Sequence, residues 1–167
     1  MIYSFSTFGY EGSLISVESD IRRGIPCIDI VGLADGQVKE SRERIQSAIR
    51  NSSIDFPDER VLLSLSPADL RKDGNSFDLA LALSVITSNG KKELPNDTLV
   101  MGELELNGNI RQVRGIYAGV KTALSSGIKN FIIPGNNFNE VKEIQGIRIL
   151  KADNLSEVYF KMYDQSN

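Results

Sequence analysis

Residues 71–83 read RKDGNSFDLALAL, with Ser76 between a turn-forming Lys-Asp-Gly-Asn and an apolar run. A serine hydroxyl becomes a nucleophile when a neighbouring base takes its proton. The chain has no histidine, so that base would have to be a lysine. Such a lysine must be neutral at working pH, which requires burial to lower its pKa by several units. Backbone N–H groups at a helix start could then stabilise an oxyanion. The alternative role is structural. Asn75 or Ser76 caps the helix, and Asp78 in its first turn complements the helix dipole. With Asn75 as N-cap, Asp78 is the N3 residue, close to a capping box. Spacing alone favours the cap, because capping residues are common and lysine-paired serines rare.

Other chemistries are narrowed by the residues that are missing. Without histidine, and with Cys27 as its one cysteine, the chain cannot build a His-based triad or a tetrahedral N/S zinc cage. Oxygen-only Mg²⁺ or Ca²⁺ binding stays open, but no spaced carboxylate loop of the EF-hand type occurs. A phosphate loop needs glycines to expose backbone N–H groups, then Lys and Ser/Thr. In SNGKKELP, Lys92 stands where the hydroxyl is required, and no glycine lies five residues before Gly90. VGLADG joins a strand to a helix but lacks the G-x-G-x-x-G spacing, and Asp35 would repel phosphate. This chain alone is not expected to hydrolyse ATP.

A net charge of -3 argues against a generic nucleic-acid binder. Arginines and lysines do cluster locally, with acidic residues interleaved. The candidate nucleic-acid contacts are Arg42, Arg44, Arg71, Lys72, Arg111 and Arg114. Cys27 lies in the strand-like IPCIDIVG and reads as a small core residue. A lone cysteine fits a reducing cytoplasm. No apolar run is long enough to span a membrane, and MIYSFSTFGYEG lacks the pattern of a signal peptide.

The elements that would position these residues follow from periodicity. IYSFSTF and SLISVESDI alternate apolar and polar residues, with a turn over 9–12. PCIDIVGL is a third strand. Asp35 is the expected N-cap of a helix running to about Asn51, with Val38, Ile45, Ala48 and Ile49 on its apolar face. RVLLSLS is a nearly continuous apolar run, expected to be covered on both faces. A helix from Phe77 to about Thr87 is apolar nearly all round and therefore buried. LVMGELELNGNI predicts a hairpin turning at Asn107-Gly108. A helix over 116–126, a strand at NFIIP, a short helix at FNEVKEI, a strand at IRILK and a terminal helix at LSEVYFKM complete the chain. Strands and helices alternate in the second half, which predicts one layered α/β domain over 1–167.

Three blocks, VGLADGQVKESRERIQSAIRNS, LSPADLRKDGNSFDLALAL and MGELELNGNIRQVRGI, closely resemble the N-terminal domain of ComM/YifB-type proteins, magnesium-chelatase-like AAA+ ATPases. The resemblance runs from about Tyr3 to the end. The family's usual VGLPD turn carries Ala34 in place of proline. The resemblance implies a mixed sheet with packed helices, like the Lon proteolytic domain and domain 2 of a ribosomal small-subunit protein. It also implies that a full-length protein continues past Asn167 into an ATPase domain, absent from this chain, that binds ATP and Mg²⁺. No cofactor or metal is expected in the present domain. The implied partners are that ATPase domain, neighbouring subunits of a ring and DNA, in DNA processing during competence.

Likeness to Lon places Ser76 at the position of a nucleophile, since KDGNS matches Lon's KDGPS. Lon's partner lysine lies in a G-G-L-K-E-K segment. The matching residues here are 114–119, and the two lysine positions hold Tyr117 and Gly119. Lys121, one turn on, and Lys72, in a loop expected to be charged and wet, are the substitutes that a Ser–Lys peptidase would need. The expectation is a non-catalytic assembly or DNA-contacting module; the alternative is a peptidase using Ser76 with Lys121 or Lys72. Magnesium insertion into a porphyrin, a third reading, has no ligand set here to recommend it.

Overall fold

The computed structural model describes residues 1–8, 12–68, 72 and 75–164. The N-terminal part forms β1 (Ile2–Ser6), β2 (Ser13–Arg22), β3 (Cys27–Val31), α1 (Asp35–Asn51) and β4 (Arg60–Ser66). Then come α2 (Asp78–Thr87), β5 (Lys92–Glu93), β6 (Thr98–Val100), β7 (Glu103–Leu104), β8 (Ile110–Arg111) and α3 (Ile116–Ser125). The chain continues through β9 (Asn130–Pro134), a 3₁₀ segment (Gly135–Glu140), β10 (Arg148–Ala152), α4 (Leu155–Lys161) and β11 (Tyr163–Asp164). Except for Gly12, the turn expected at 9–12 lies outside the described residues.

Seven strands make one sheet in the order β10-β9-β6-β1-β2-β4-β3. β1, β2 and β4 are antiparallel neighbours, whereas β3–β4, β1–β6, β6–β9 and β9–β10 run parallel. A parallel neighbour requires a crossover, and α1 supplies the one between β3 and β4. The fold is therefore mixed α/β, with packed helices on a mostly parallel sheet, as the sequence predicts.

Strand alternation sorts the apolar side chains onto two faces. One face carries Val17, Ile28, Val61, Leu63, Val100 and Ile132 beneath α1, α2 and α4. The other carries Phe5, Leu99, Phe131 and Ile133 beneath α3, which contributes Ile116, Val120 and Ala123. α3 lies close to the sheet because Gly119 has no side chain. A Cβ there would stand 2.9 Å from the Met101 sulfur and 3.2 Å from the Phe5 ring.

Several expectations are corrected. Asp35 begins α1 rather than capping it; the N-cap position is Ala34, with no side-chain cap bond. β4 is not covered on both faces: Val61, Leu63 and Leu65 are buried, but Leu62 and Ser64 between them are only half-buried. The hairpin is shorter than LVMGELELNGNI suggests, because Thr98–Val100 joins the large sheet and only β7 and β8 pair around the turn. Gly108 sits there at φ +93°, and a Cβ would come 2.4 Å from the Ser52 hydroxyl. The short helix expected at FNEVKEI is instead a 3₁₀ segment from Gly135, followed by turns. Its buried Asn137 side chain holds both the N–H and the carbonyl of Val113, at 3.0 and 2.9 Å. That tie fixes the segment by tertiary contact rather than by helical periodicity.

Candidate functional site

α2 and α3 begin on opposite sides of a cleft of about 680 Å³. Asn75 and Ser76 line it from the α2 side, and Arg114 and Gly115 from the α3 side. Glu103, Asn137 and Glu140 complete its polar wall, and Thr7 after β1 closes one end. Each element is held by specific contacts. The Gly102 N–H donates to the Ser76 carbonyl, and the Leu79 N–H donates to the Gly102 carbonyl, both at 3.0 Å. Gly115 is left-handed at φ +83°, and a Cβ there would lie 2.4 Å from the Thr7 methyl, so only glycine can start α3 in this position.

Behind Ser76 sits a buried polar cluster. Asp78 is 1% exposed. The Arg44 guanidinium grips it with two bonds, Nε to Oδ2 at 2.9 Å and Nη2 to Oδ1 at 3.1 Å. The Leu104 N–H donates to the same carboxylate at 3.2 Å. Arg44 Nη2 also donates to Asn75 Oδ1 at 2.9 Å, and Asn75 Nδ2 donates to Glu103 at 3.3 Å. Burial pushes the Asp78 carboxyl above its ordinary pKa, while Arg44 and the Leu104 N–H pull against that rise without cancelling it. Burial lowers and the Asp78 bonds raise the Arg44 guanidinium, whose pKa ends above its ordinary value. The pair bolts α1 to the start of α2 and to β7.

This cluster corrects the capping expectation. α2 starts at Asp78, with Phe77 in the cap position and no side-chain cap bond. Asn75 is turned toward Arg44 and Glu103 instead. The Ser76 hydroxyl, half-buried at the cleft, has no hydrogen-bond partner among the described residues.

Neither lysine is among the described residues that line this cleft. Lys72, expected to be wet, is 4% exposed, and its amine donates to the Pro67 carbonyl. Lys121 is exposed on α3 and does not line the cleft. Among the described lining residues the one lysine, arginine or histidine is Arg114, and a guanidinium offers donors and no acceptor for a serine proton. Of the two positions where Lon carries lysines, Gly119 faces the core with no room for a side chain, and Tyr117 is exposed.

The five candidate nucleic-acid contacts among the described residues differ in exposure. Arg44 and Lys72 are drawn inward. Arg42 is half-buried, its Nη1 3.5 Å from the Ile28 carbonyl. Arg71 lies outside the described residues. Arg111 is exposed and 3.5 Å from Glu105, and Arg114 is exposed at the cleft. The Arg44–Asp78 pair and the Asn137 tie are not evident from local sequence. The available signal was a carboxylate, Asp78, placed in a run apolar enough to be buried, since a buried carboxylate needs a partner.

Comparison with known proteins agrees with this architecture. The family described as subunit ChlI of Mg-chelatase matches residues 17–137. YifB of Escherichia coli, described as uncharacterized, is 35% identical over 162 residues, covering 95% of this chain and 31% of that protein. The competence protein ComM of Haemophilus influenzae is 29% identical over 160 residues, again 95% and 31%. The archaeal Lon protease of Methanocaldococcus jannaschii is 25% identical over 154 residues, 92% of this chain and 23% of the protease. The chain thus spans about a third of the length of its YifB and ComM relatives, 31% in each case. A family match across most of the chain, together with relatives aligned over 95% of its length, places it in the Mg-chelatase ChlI-subunit family as a ComM/YifB-type domain.

Proposed function

We propose that this chain is the non-catalytic N-terminal module of a ComM-type, magnesium-chelatase-like AAA+ ATPase acting in DNA processing. Its work is to join an ATPase domain, which uses ATP and Mg²⁺, to neighbouring subunits of a ring in the cytoplasm. DNA contact falls to Arg111 and Arg114, the exposed cations among the described candidates. The observation that carries this reading is the Ser76 cleft, whose described lining includes no lysine. A Ser–Lys dyad needs hydrogen-bond reach near 3 Å and a lysine able to lose its charge. Lys72 is buried and donates to the Pro67 carbonyl, and Lys121 stands in solvent.

A fluorophosphonate probe tests the non-catalytic half. No labelling is expected across a broad pH range. Labelling of the wild type that disappears in Ser76→Ala would restore the peptidase alternative. The DNA half is tested by titrating labelled single-stranded, duplex and branched DNA at several salt concentrations. Binding should fall steeply with salt and weaken in an Arg111→Ala, Arg114→Ala double variant. Absence of binding at low salt removes DNA contact and leaves assembly.

A further inference from the structure

β10 forms one edge of the large sheet. The Arg148 N–H donates to the Lys129 carbonyl at 2.8 Å, on the β9 side. In a parallel ladder, alternate residues turn both backbone groups toward the same neighbour. Residues 148, 150 and 152 therefore face β9. Ile149 and Lys151 turn their N–H and C=O groups outward, with no backbone partner among the described residues.

The same strand walls a pocket of about 240 Å³. Its lining includes the apolar residues Ile132, Leu150 and Met162, with Arg148 and Lys161 among the polar contributors. Neither cation has a side-chain partner among the described residues, and no described carboxylate lines the pocket. In a chain of net charge -3, that is a local reversal of sign. The Ser76 cleft differs, because Glu103 and Glu140 accompany its arginine.

We propose that the β10 edge docks an extended acidic peptide segment of a partner protein. The segment adds a strand to the sheet through the outward groups of Ile149 and Lys151. One apolar side chain enters the pocket, and its carboxylates meet Arg148 and Lys161. A second copy of this chain fits less well, because antiparallel pairing of two β10 strands would bring Arg148 and Lys151 of one against those of the other. A small anion would leave the outward backbone groups unused.

Fluorescence anisotropy with a fluorescein-labelled peptide alternating leucine and aspartate tests the proposal. Saturable binding that weakens with salt is expected. Replacing aspartate by lysine in the peptide should abolish it. An Arg148→Glu, Lys161→Glu double variant, whose changes lie on the surface, should bind about tenfold more weakly or worse. A peptide N-methylated at alternate positions tests the backbone pairing without altering the protein, and it should lose binding. No binding up to about 1 mM, or equal affinity for the charge-reversed protein or the methylated peptide, would overturn the proposal.

Discussion

Asp78 and Ser76 are two residues apart and stand in opposite circumstances. The carboxylate is buried and takes two bonds from Arg44 and one from the Leu104 N–H. The hydroxyl borders an open cleft and takes none from the described residues. The start of α2 is thus held by the interior side of the turn, while the solvent side is left uncommitted. Three hydrogen bonds to Asp78, two from Arg44 and one from Leu104, set where the helix begins, so Ser76 is not needed as a cap. In this fold the presence of a serine at the helix mouth says little, and the lack of a lysine among the described residues lining its cleft says more.

The largest effect should come from breaking the interior side. Arg44→Ala leaves a buried carboxylate facing a void and is expected to cost about 3 kcal/mol or more of unfolding free energy. Chemical denaturation reads it directly. Arg44→Met with Asp78→Leu together should cost much less, because no orphaned charge remains. If the single variant unfolds like the wild type, the cluster does not hold the helix, and the contrast with Ser76 disappears.

A smaller effect sharpens the electrostatics. Asp78 is raised above its ordinary pKa in the folded state by burial, the leading cause. Between the ordinary and the raised value the folded protein holds more protons than the unfolded chain. Stability therefore falls as pH rises through that window. The contribution is fully present below the ordinary carboxylate range and lost above the raised value. Subtracting the pH profile of Asp78→Asn from that of the wild type cancels the other carboxylates, and the difference should decline with rising pH. A difference that climbs instead would mean that the Arg44 bonds outweigh burial.

Elements carried by local patterning were legible in the sequence. α2 is apolar nearly all round and is buried, α1 spans Asp35–Asn51, and the Asn107-Gly108 turn closes a hairpin. Elements set by distant partners were not. The 3₁₀ segment depends on Asn137 holding Val113, 24 residues away, and the α2 start depends on Arg44, 34 residues away. Periodicity reports which face is apolar, not which polar side chain meets another across the fold. Lys72 shows the same limit. A turn-rich Arg-Lys-Asp-Gly reads as wet loop, yet its lysine lies inside, donating to the Pro67 carbonyl.

The smallest expected effect is the most informative about the cleft. Ser76→Ala removes a hydroxyl with no partner among the described residues and leaves the backbone carbonyl still accepting from Gly102. Its expected cost is within about 0.5 kcal/mol, the range of substitutions that break no named interaction. A capping serine would cost about 1 kcal/mol when replaced by alanine, so the experiment separates the two roles. Denaturant midpoints for wild type and Ser76→Ala at matched slope give the answer. A loss near the capping value would show that the hydroxyl bonds a helix N–H in solution. A gain in stability would point the other way: enzymes often keep a residue at a cost in stability for chemistry, and removing it relieves that cost. Near-equality leaves Ser76 without a structural duty, in a cleft whose described lining holds no lysine.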